Sequence, residues 1–297
     1  LMKVDAVFAG GGVKALAFLG ALQALNERNI ELERLAGTSA GAVTAAFLKA
    51  GYRADEIFQL FNDTDLKQFL DPRAIVDVFP FLKWMALYRR MGLYRGDAFE
   101  SWLKNALKKK GIQTFGDLPE GSLKMVASDI TNGRLIVLPD DLSRYGIEQR
   151  SFSVAKAVRM SASLPFFFEP VKLKNQQGQV SLIVDGGVLS NFPIWLFMRK
   201  GQLKRQRPVL GLRLSPEYDK IPPREIKNGL SFLQSMFHTM SSAHDQRYVA
   251  KIHAKNIIFI PVEGLGATEF HMSKKEKEKL IQLGRASTES FLAKWTY

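Results

Sequence analysis

Val4 to Ala9 is a short run of β-prone apolar residues that breaks at Gly10-Gly11-Gly12, and from Leu16 to Leu25 apolar positions recur at helical spacing. The pattern reads as strand, glycine turn, helix. It then repeats: Ile30 to Ala36 reads as a second strand, runs into Gly37-Thr38-Ser39-Ala40-Gly41, and gives way to a helix-compatible stretch from Ala42 to Ala50. Two such units in close succession predict a parallel sheet with helices on its faces, an architecture whose ligands collect at the carboxyl ends of the strands. Both glycine turns belong to that edge.

Residues 52 to 110 read as helical and irregular, and Leu123 to Ser128, Leu135 to Leu138, Ser181 to Val184 and Val209 to Leu214 are further strand candidates. Lys220 to Lys227, with Pro222-Pro223, is the best linker candidate, and a helix is expected around Leu230 to Val249. Asn256 to Val262 reads as a late strand. Ser273 with Glu276 three residues on is a capping-box signature opening a helix through about Ala293. No internal repeat is present. The expectation is one α/β domain over residues 1–297, with a motif-bearing core at about 4–200 and the C-terminal strand and helices, about 225–297, packed on it.

Composition narrows the chemistry. Of 297 residues, 46% are hydrophobic and 24% charged, as in an ordinary globular protein. The absence of cysteine removes disulfides, zinc ribbons and thiolate catalysis from consideration and points to a reducing compartment. Forty-two Lys and Arg against 29 Asp and Glu give a formal charge of +13, which leaves nucleic acid, anionic membrane and acidic ligands open as partners. The opening Lys3 to Phe8 lacks the longer apolar run of a signal peptide. The longest apolar stretches, such as Leu164 to Phe168, fall far short of the ~20 residues needed to span a bilayer. A cytoplasmic protein, soluble or peripheral at the inner membrane face, is expected.

Three glycine-marked sites carry candidate chemistry. Gly37-Thr38-Ser39-Ala40-Gly41 is a G-x-S-x-G between a strand and a helix. A nucleophilic serine on such a turn needs small neighbours, because the backbone is strained and substrate must approach closely. The helix start that follows favours developing negative charge. A plain turn with a serine N-cap has the same signature. Gly10-Gly11-Gly12-Val13-Lys14 offers backbone N–H groups that can converge on an anion, with one cation beside them. It reads as an oxyanion hole, a phosphate cradle or a structural turn. Gly10-x-Gly12-x-x-Ala15 also satisfies a dinucleotide fingerprint, but Glu31 and Glu33 fall at the start of the second strand, not at its end where a ribose acceptor belongs.

The third site is Val184-Asp185-Gly186-Gly187, an acid between a strand and a glycine turn. Asp185 is either a turn former or a base that takes the proton of Ser39 directly, provided partial desolvation raises it from a reference pKa near ~3.9. The four histidines, His238, His244, His253 and His271, all follow Asp185, so the order Ser, acid, His is formally available. None sits in a glycine turn, and they read as surface or helix residues.

Together, Gly10 to Lys14, Gly37 to Gly41 and Asp185-Gly186-Gly187 resemble the patatin-like phospholipases in order and approximate spacing. Ser161-Ala162-Ser163-Leu164-Pro165 with Phe168 and Pro170, and Asn191 with Pro193, look like further blocks of that family. The resemblance implies a three-layer α/β/α fold with a mainly parallel central sheet, a Ser39 nucleophile, an Asp185 base, and an oxyanion loop at Gly10, Gly11, Gly12, Val13 and Lys14. Supporting turns fall at Gly37, Gly41, Gly186 and Gly187. It also implies hydrolysis of lipid acyl esters with neither cofactor nor metal. One position departs: the family's loop has Gly after the basic residue, and here Ala15 stands there.

Residues 78–95 combine Phe79, Phe81, Trp84, Tyr88 and Tyr94 with Lys83, Arg89, Arg90 and Arg95, an interfacial composition suited to transient contact with an anionic membrane. A buried amphipathic helix has the same composition. Lys108 to Lys110, Lys204 to Arg207, and Lys274-Lys275 with Lys277 and Lys279 read as mostly solvated basic faces. With no zinc-finger spacing, RNP-type strand or helix-turn-helix, nucleic acid is not an expected partner. Two other function classes remain beside the acyl hydrolase: a nucleotide or dinucleotide binder using Gly10 to Ala15, and a catalytically silent lipid-binding protein. Head group, acyl length and oligomeric state are not encoded in these motifs.

Overall fold

A computed structural model describes residues 1–71, 87–197, 207–216, 223, 226–227, 229–249, 254–262 and 272–296. Eight strands form one mixed sheet. Strand β1 (Met2–Phe8) lies between β2 (Ile30–Gly37) and β9 (Val209–Arg213). Strand β10 (Ile257–Phe259) borders β9, and β2 borders β4 (Leu123–Asp129), all four pairings being parallel. The remaining ladders are antiparallel: β4 with β5 (Arg134–Leu138), β4 with β8 (Val180–Asp185), and β8 with β7 (Val171–Lys174).

The hydrophobic pattern of β1 shows why the sheet carries cover on both faces. Val4, Ala6 and Phe8 enter the large core cluster, whereas Val7 and Ala9 enter a smaller one with Phe192, Ile194 and Phe197. Period-2 alternation with both sides apolar is the mark of a strand buried twice. The large core is built with helices α1 (Ala17–Glu27), α2 (Ala40–Lys49), α3 (Ala54–Asn62), α4 (Asp97–Lys109) and α5 (Val154–Ser161). Helix α6 (Gly229–Val249) packs on the short 3-10 turns at Gly186–Val188 and Ile194–Phe197. The predicted three-layer α/β/α class is the observed one, with helices on both sides of the sheet.

The C-terminal helix α7 (Lys274–Leu292) begins with the predicted capping box: the Ser273 hydroxyl accepts from the Glu276 amide, and Glu276 accepts from the Ser273 amide. It crosses α1 closely. A Cβ on Gly20 would stand 1.8 Å from the Ile281 carbonyl oxygen, and one on Gly284 would stand 1.8 Å from that of Ala17. Two glycines thus let backbones touch where the first and last helices meet.

Two features depart from expectation. Inside the stretch read as helical and irregular, β3 (Gly92–Tyr94) pairs in parallel with β6 (Phe166–Phe168) as a separate two-stranded sheet. Three-residue strands are too short for alternation to register. The β8 strand also runs against β4, so Asp185 ends an antiparallel strand within the expected parallel sheet. Its end faces that of β2. Along one side of β4, Gly37 of β2 pairs with Met125 and Asp185 of β8 with Ala127, while β5 occupies the other side. The two strands therefore meet head to head at Val126.

Candidate active site

Ser39 follows β2 by two residues and caps α2 with φ 54° and ψ −124°. For a residue with a Cβ this backbone costs ~1–3 kcal/mol and persists only when its surroundings impose it. They do. The Ser39 amide donates to Ser161 Oγ at 3.1 Å, and Ser161 Oγ donates to the Val126 carbonyl at 2.7 Å. The Thr38 amide donates to the Phe8 carbonyl at 3.2 Å, and the Thr38 hydroxyl to the Ser190 carbonyl at 3.1 Å. A Cβ at Gly37 would lie 2.4 Å from Gly41 backbone, and one at Gly41 would lie 2.3 Å from the Phe8 carbonyl. Both predicted turn glycines are required by close approach.

Asp185 ends β8, is 3% exposed, and is fixed by its own amide, which donates to the Ser163 carbonyl at 2.8 Å. Gly187 donates its amide to Asp185 Oδ1 at 2.7 Å, and Ser39 and Asp185 line the same cavity. Burial pushes the Asp185 carboxyl up to about 6, against the lowering effect of Ser39 and of the Gly187 amide. Gly186 has no room for a side chain, since a Cβ there would stand 2.4 Å from the Val126 carbonyl.

The Gly10 to Lys14 loop lies over the same point. Gly10 donates its amide to the Asn191 carbonyl at 3.0 Å and accepts from Asn191 Nδ2 at 3.2 Å. Its amide is therefore committed, and among the loop glycines Gly10 acts as the clamp. Gly11 precedes and Gly12 opens a 3-10 turn (Gly12–Leu16), where first-turn amides have no acceptor within the turn. Both glycines line the same cavity as Ser39. Gly12 has φ 58°, which only glycine adopts freely. Ala15 sits inside the 3-10 turn and is not among the positive-φ residues, so the position does not demand the glycine of the family pattern. Val13 and Ala15 line the adjoining cavity.

That cavity, about 240 Å³, contains Ser39, Asp185 and Gly10 to Val13 among its walls. Its remaining lining is almost wholly apolar. Leu16 and Leu19 come from the first helical segment, Val43 from α2, Ile57 from α3, and Phe69 and Phe99 from beyond. Leu164, Pro165, Phe167 and Phe168 also line it. The wall is pinned by Arg159, 3% exposed, which donates to the carbonyls of Gly96 (3.0 Å), Arg95 (2.6 Å) and Glu169 (3.0 Å) and to Ser163 Oγ. Its guanidinium also covers the Phe168 ring, 4.7 Å from the centroid. Nothing in the spacing of the sequence marked Arg159.

Of the histidines, His238 lines the cavity from α6, and His244 Nδ1 lies 3.5 Å from Asp245 Oδ1, while His253 and His271 lie outside the described residues. Among the described residues, no three His, Asp or Glu side chains gather as a metal would require, and no helix is long and apolar enough to cross a membrane. The basic clusters are partly engaged. Lys110 pairs with Glu56 at 2.9 Å, and Arg207 lies 3.4 Å from Asp5, with Lys204 to Gln206 outside the described residues. In the 78–95 segment, 78–86 also lie outside them. Tyr88 is 90% exposed and Met91 40%, but Tyr94 packs on Phe167 at 4.9 Å, so it belongs to the wall.

The model of the family described as patatin-like phospholipase matches residues 6–198. The chain belongs to this family. Membership places it among lipid hydrolases, and the match spans all three glycine-marked motifs. An uncharacterized protein of Bacillus subtilis, YqhO, is 49% identical over 296 residues, covering 100% of both chains. A probable lipid hydrolase of invertebrate iridescent virus 6 is 25% identical over 209 residues, 68% of this chain and 65% of that protein. Among solved structures, VipD from Legionella pneumophila shares the fold with a TM-score of 0.57 at 20% identity, covering 98% of this chain and 67% of its own.

Proposed function

We propose that this patatin-like protein is a serine acyl hydrolase that cleaves carboxylic ester bonds of lipids, phospholipid or lysophospholipid foremost, through a Ser39–Asp185 dyad. One observation carries the reading: a serine on a strained elbow and a buried carboxylate, pushed up to about 6 by burial, line the same cavity. A base poised there is ionised at pH 7 yet can hold a proton, as general-base catalysis needs.

Ser39 Oγ attacks the ester carbonyl as its proton passes to Asp185, and the amides of Gly11 and Gly12 receive the developing oxyanion. Collapse breaks the carbonyl–alkoxide bond, and the leaving alcohol takes the proton from Asp185. Water then attacks the acyl-enzyme, gives its proton to Asp185, and releases the fatty acid as the proton returns to Ser39. The apolar cavity receives the acyl chain. The exposed Tyr88 and Met91, beside exposed Arg89 and Arg90, support transient contact of the 78–95 segment with an anionic lipid surface by a cytoplasmic, peripheral enzyme.

The nucleotide reading gains no support. Glu31 and Glu33, its ribose acceptors, lie at the far end of β2, with Glu33 3.1 Å from Lys3. Turnover of phospholipid, lysophospholipid and short esters by wild type and Ser39→Ala, with and without chelator, tests the proposal, together with fluorophosphonate labelling. Labelling and turnover that vanish in Ser39→Ala and ignore chelator are expected. Equal turnover by both proteins would refute it, and lipid binding without turnover would establish the silent alternative.

A further inference from the structure

Asp245 is a carboxylate 3% exposed on α6, far in sequence from every motif described above. It accepts three hydrogen bonds from the segment that follows the Asp185-Gly186-Gly187 turn. Ser190 Oγ donates to Oδ1 at 2.7 Å, and the amides of Asn191 and Phe192 donate to Oδ2 at 3.0 and 2.9 Å. Trp195 Nε1 donates in turn to Ser190 Oγ at 3.2 Å. His244 Nδ1, 3.5 Å from Oδ1, is the titratable neighbour on the same helix.

The segment so held touches both halves of the site. The Ser190 carbonyl accepts the Thr38 hydroxyl at 3.1 Å, next to Ser39 on the elbow. Asn191 grips Gly10 twice, its carbonyl taking the Gly10 amide at 3.0 Å and its Nδ2 donating to the Gly10 carbonyl at 3.2 Å. The grip leaves no slack: a Cβ on Gly10 would stand 2.3 Å from Asn191 Oδ1 and 3.3 Å from Ser39 Cβ. Three buried donors converging on one point need an acceptor-only group, and an ionised carboxylate supplies the strongest.

We propose that Asp245 is the positioning residue of the oxyanion loop: it fixes residues 190–192, and through Asn191 it sets the direction of the Gly11 and Gly12 amides. The proposal rests on the acyl-hydrolase reading of Ser39. It adds a group from the C-terminal part of the chain, beyond residue 198 where the family match ends, to the machinery of that site.

The test compares wild type, Ser39→Ala, Asp245→Ala, Asp245→Asn and Asp245→Leu on a soluble short-chain ester, with amide hydrogen exchange at Gly10 followed in each. Losing aligned oxyanion donors lowers kcat, so Asp245→Ala is expected to cut kcat by about 10- to 100-fold with KM within about threefold, and to slow fluorophosphonate labelling in step. Gly10 exchange should accelerate in the same variant. Asp245→Asn keeps one oxygen for the two amides and is expected to recover most of the lost kcat, whereas Asp245→Leu, which keeps the bulk without an acceptor, is expected to match the alanine variant; a leucine variant that recovers like asparagine would reduce the role to packing and overturn the proposal. Should Asp245→Ala not fold, Asn191→Ala, which removes only the side-chain bond to Gly10, is expected to lower kcat about tenfold. A kcat within about twofold of wild type in either alanine variant, or a loss carried by KM, overturns the proposal. Equal turnover by wild type and Ser39→Ala would instead sink the acyl-hydrolase reading. Gly10 exchange that does not respond to Asp245→Ala overturns the positioning role whatever the turnover.

Discussion

Replacing Asp185 by Asn is predicted to abolish turnover and, at neutral pH, to stabilise the fold. The carboxyl moves from 3.8 to about 6 on burial, a difference of about 2 units. At ~1.36 kcal/mol per unit, the ionised form in the folded protein is disfavoured by ~3 kcal/mol relative to the unfolded chain. The sign follows from proton counting. Between pH 4 and 6 the folded state binds more protons at this site than the unfolded state, so its contribution to stability falls as pH rises through about that window. Below it both states are protonated and the penalty vanishes. Asparagine never ionises, and its side-chain oxygen can still accept the Gly187 amide that lies 2.7 Å from Asp185 Oδ1.

The stability gap between Asp185→Asn and wild type should therefore grow from near zero around pH 4 to ~2–3 kcal/mol above pH 7. In a chain of 297 residues that corresponds to a Tm higher by about 3–5 °C at neutral pH. Calorimetric melting of both proteins across that range reads it directly, and taking the difference cancels every other titrating group. The kcat/KM of wild type should rise along the same limb, with a midpoint at about 6. A gap that does not change with pH, or an Asp185→Asn protein less stable than wild type at pH 7.5, would refute the argument that Asp185 is a desolvated base.

Ser39→Gly relieves the positive φ and should raise stability by ~1 kcal/mol over Ser39→Ala, which keeps the Cβ; chemical denaturation of these two inactive proteins measures it, and equal midpoints would contradict the strain. Gly10→Ala drives a methyl to 2.3 Å from Asn191 Oδ1, so kcat should drop by ~10²-fold, and a variant retaining half the wild-type rate would show that the loop gives way easily. Tyr88→Ser with Met91→Ser should weaken binding to anionic vesicles several-fold while leaving hydrolysis of soluble esters intact, as measured by vesicle sedimentation; unchanged binding would remove this surface from the docking contact.

Most of the fold was legible because its signals are local. Each glycine turn follows a β-prone run, and the predicted strands at 30–36, 123–128 and 209–214 each fall within a residue of β2, β4 and β9. The α6 and α7 helices stand where the spacing and the Ser273 capping box set them. Strand direction was not legible, because alternation is the same read either way, and only the register, Asp185 on Ala127 and Ile183 on Asp129, reveals that β8 runs against β4. Arg159 and Asp245 were hidden for a different reason. Each is a polar residue on a helix, unremarkable by composition, and its meaning lies in carbonyls or amides 53 to 64 residues away. Asn191 was visible only as part of a family block, without its hold on Gly10.

What the sequence shows as two distant motifs, β4 turns into one dimension. Gly37 and Asp185 pair with Met125 and Ala127 on one edge of that strand. At ~3.3 Å per residue those partners stand ~6.6 Å apart, which brings together the strand ends that lead into Ser39 and end on Asp185. The intermediate residue, Val126, turns its carbonyl to Ser161 Oγ, which holds the Ser39 amide, and closes off any side chain at Gly186. A one-residue slip of β8 along β4 would turn Asp185 to the opposite face of the sheet. The short separation thus accounts together for the acid ending beside the serine elbow, for its burial, and for the need for glycine in the turn after it.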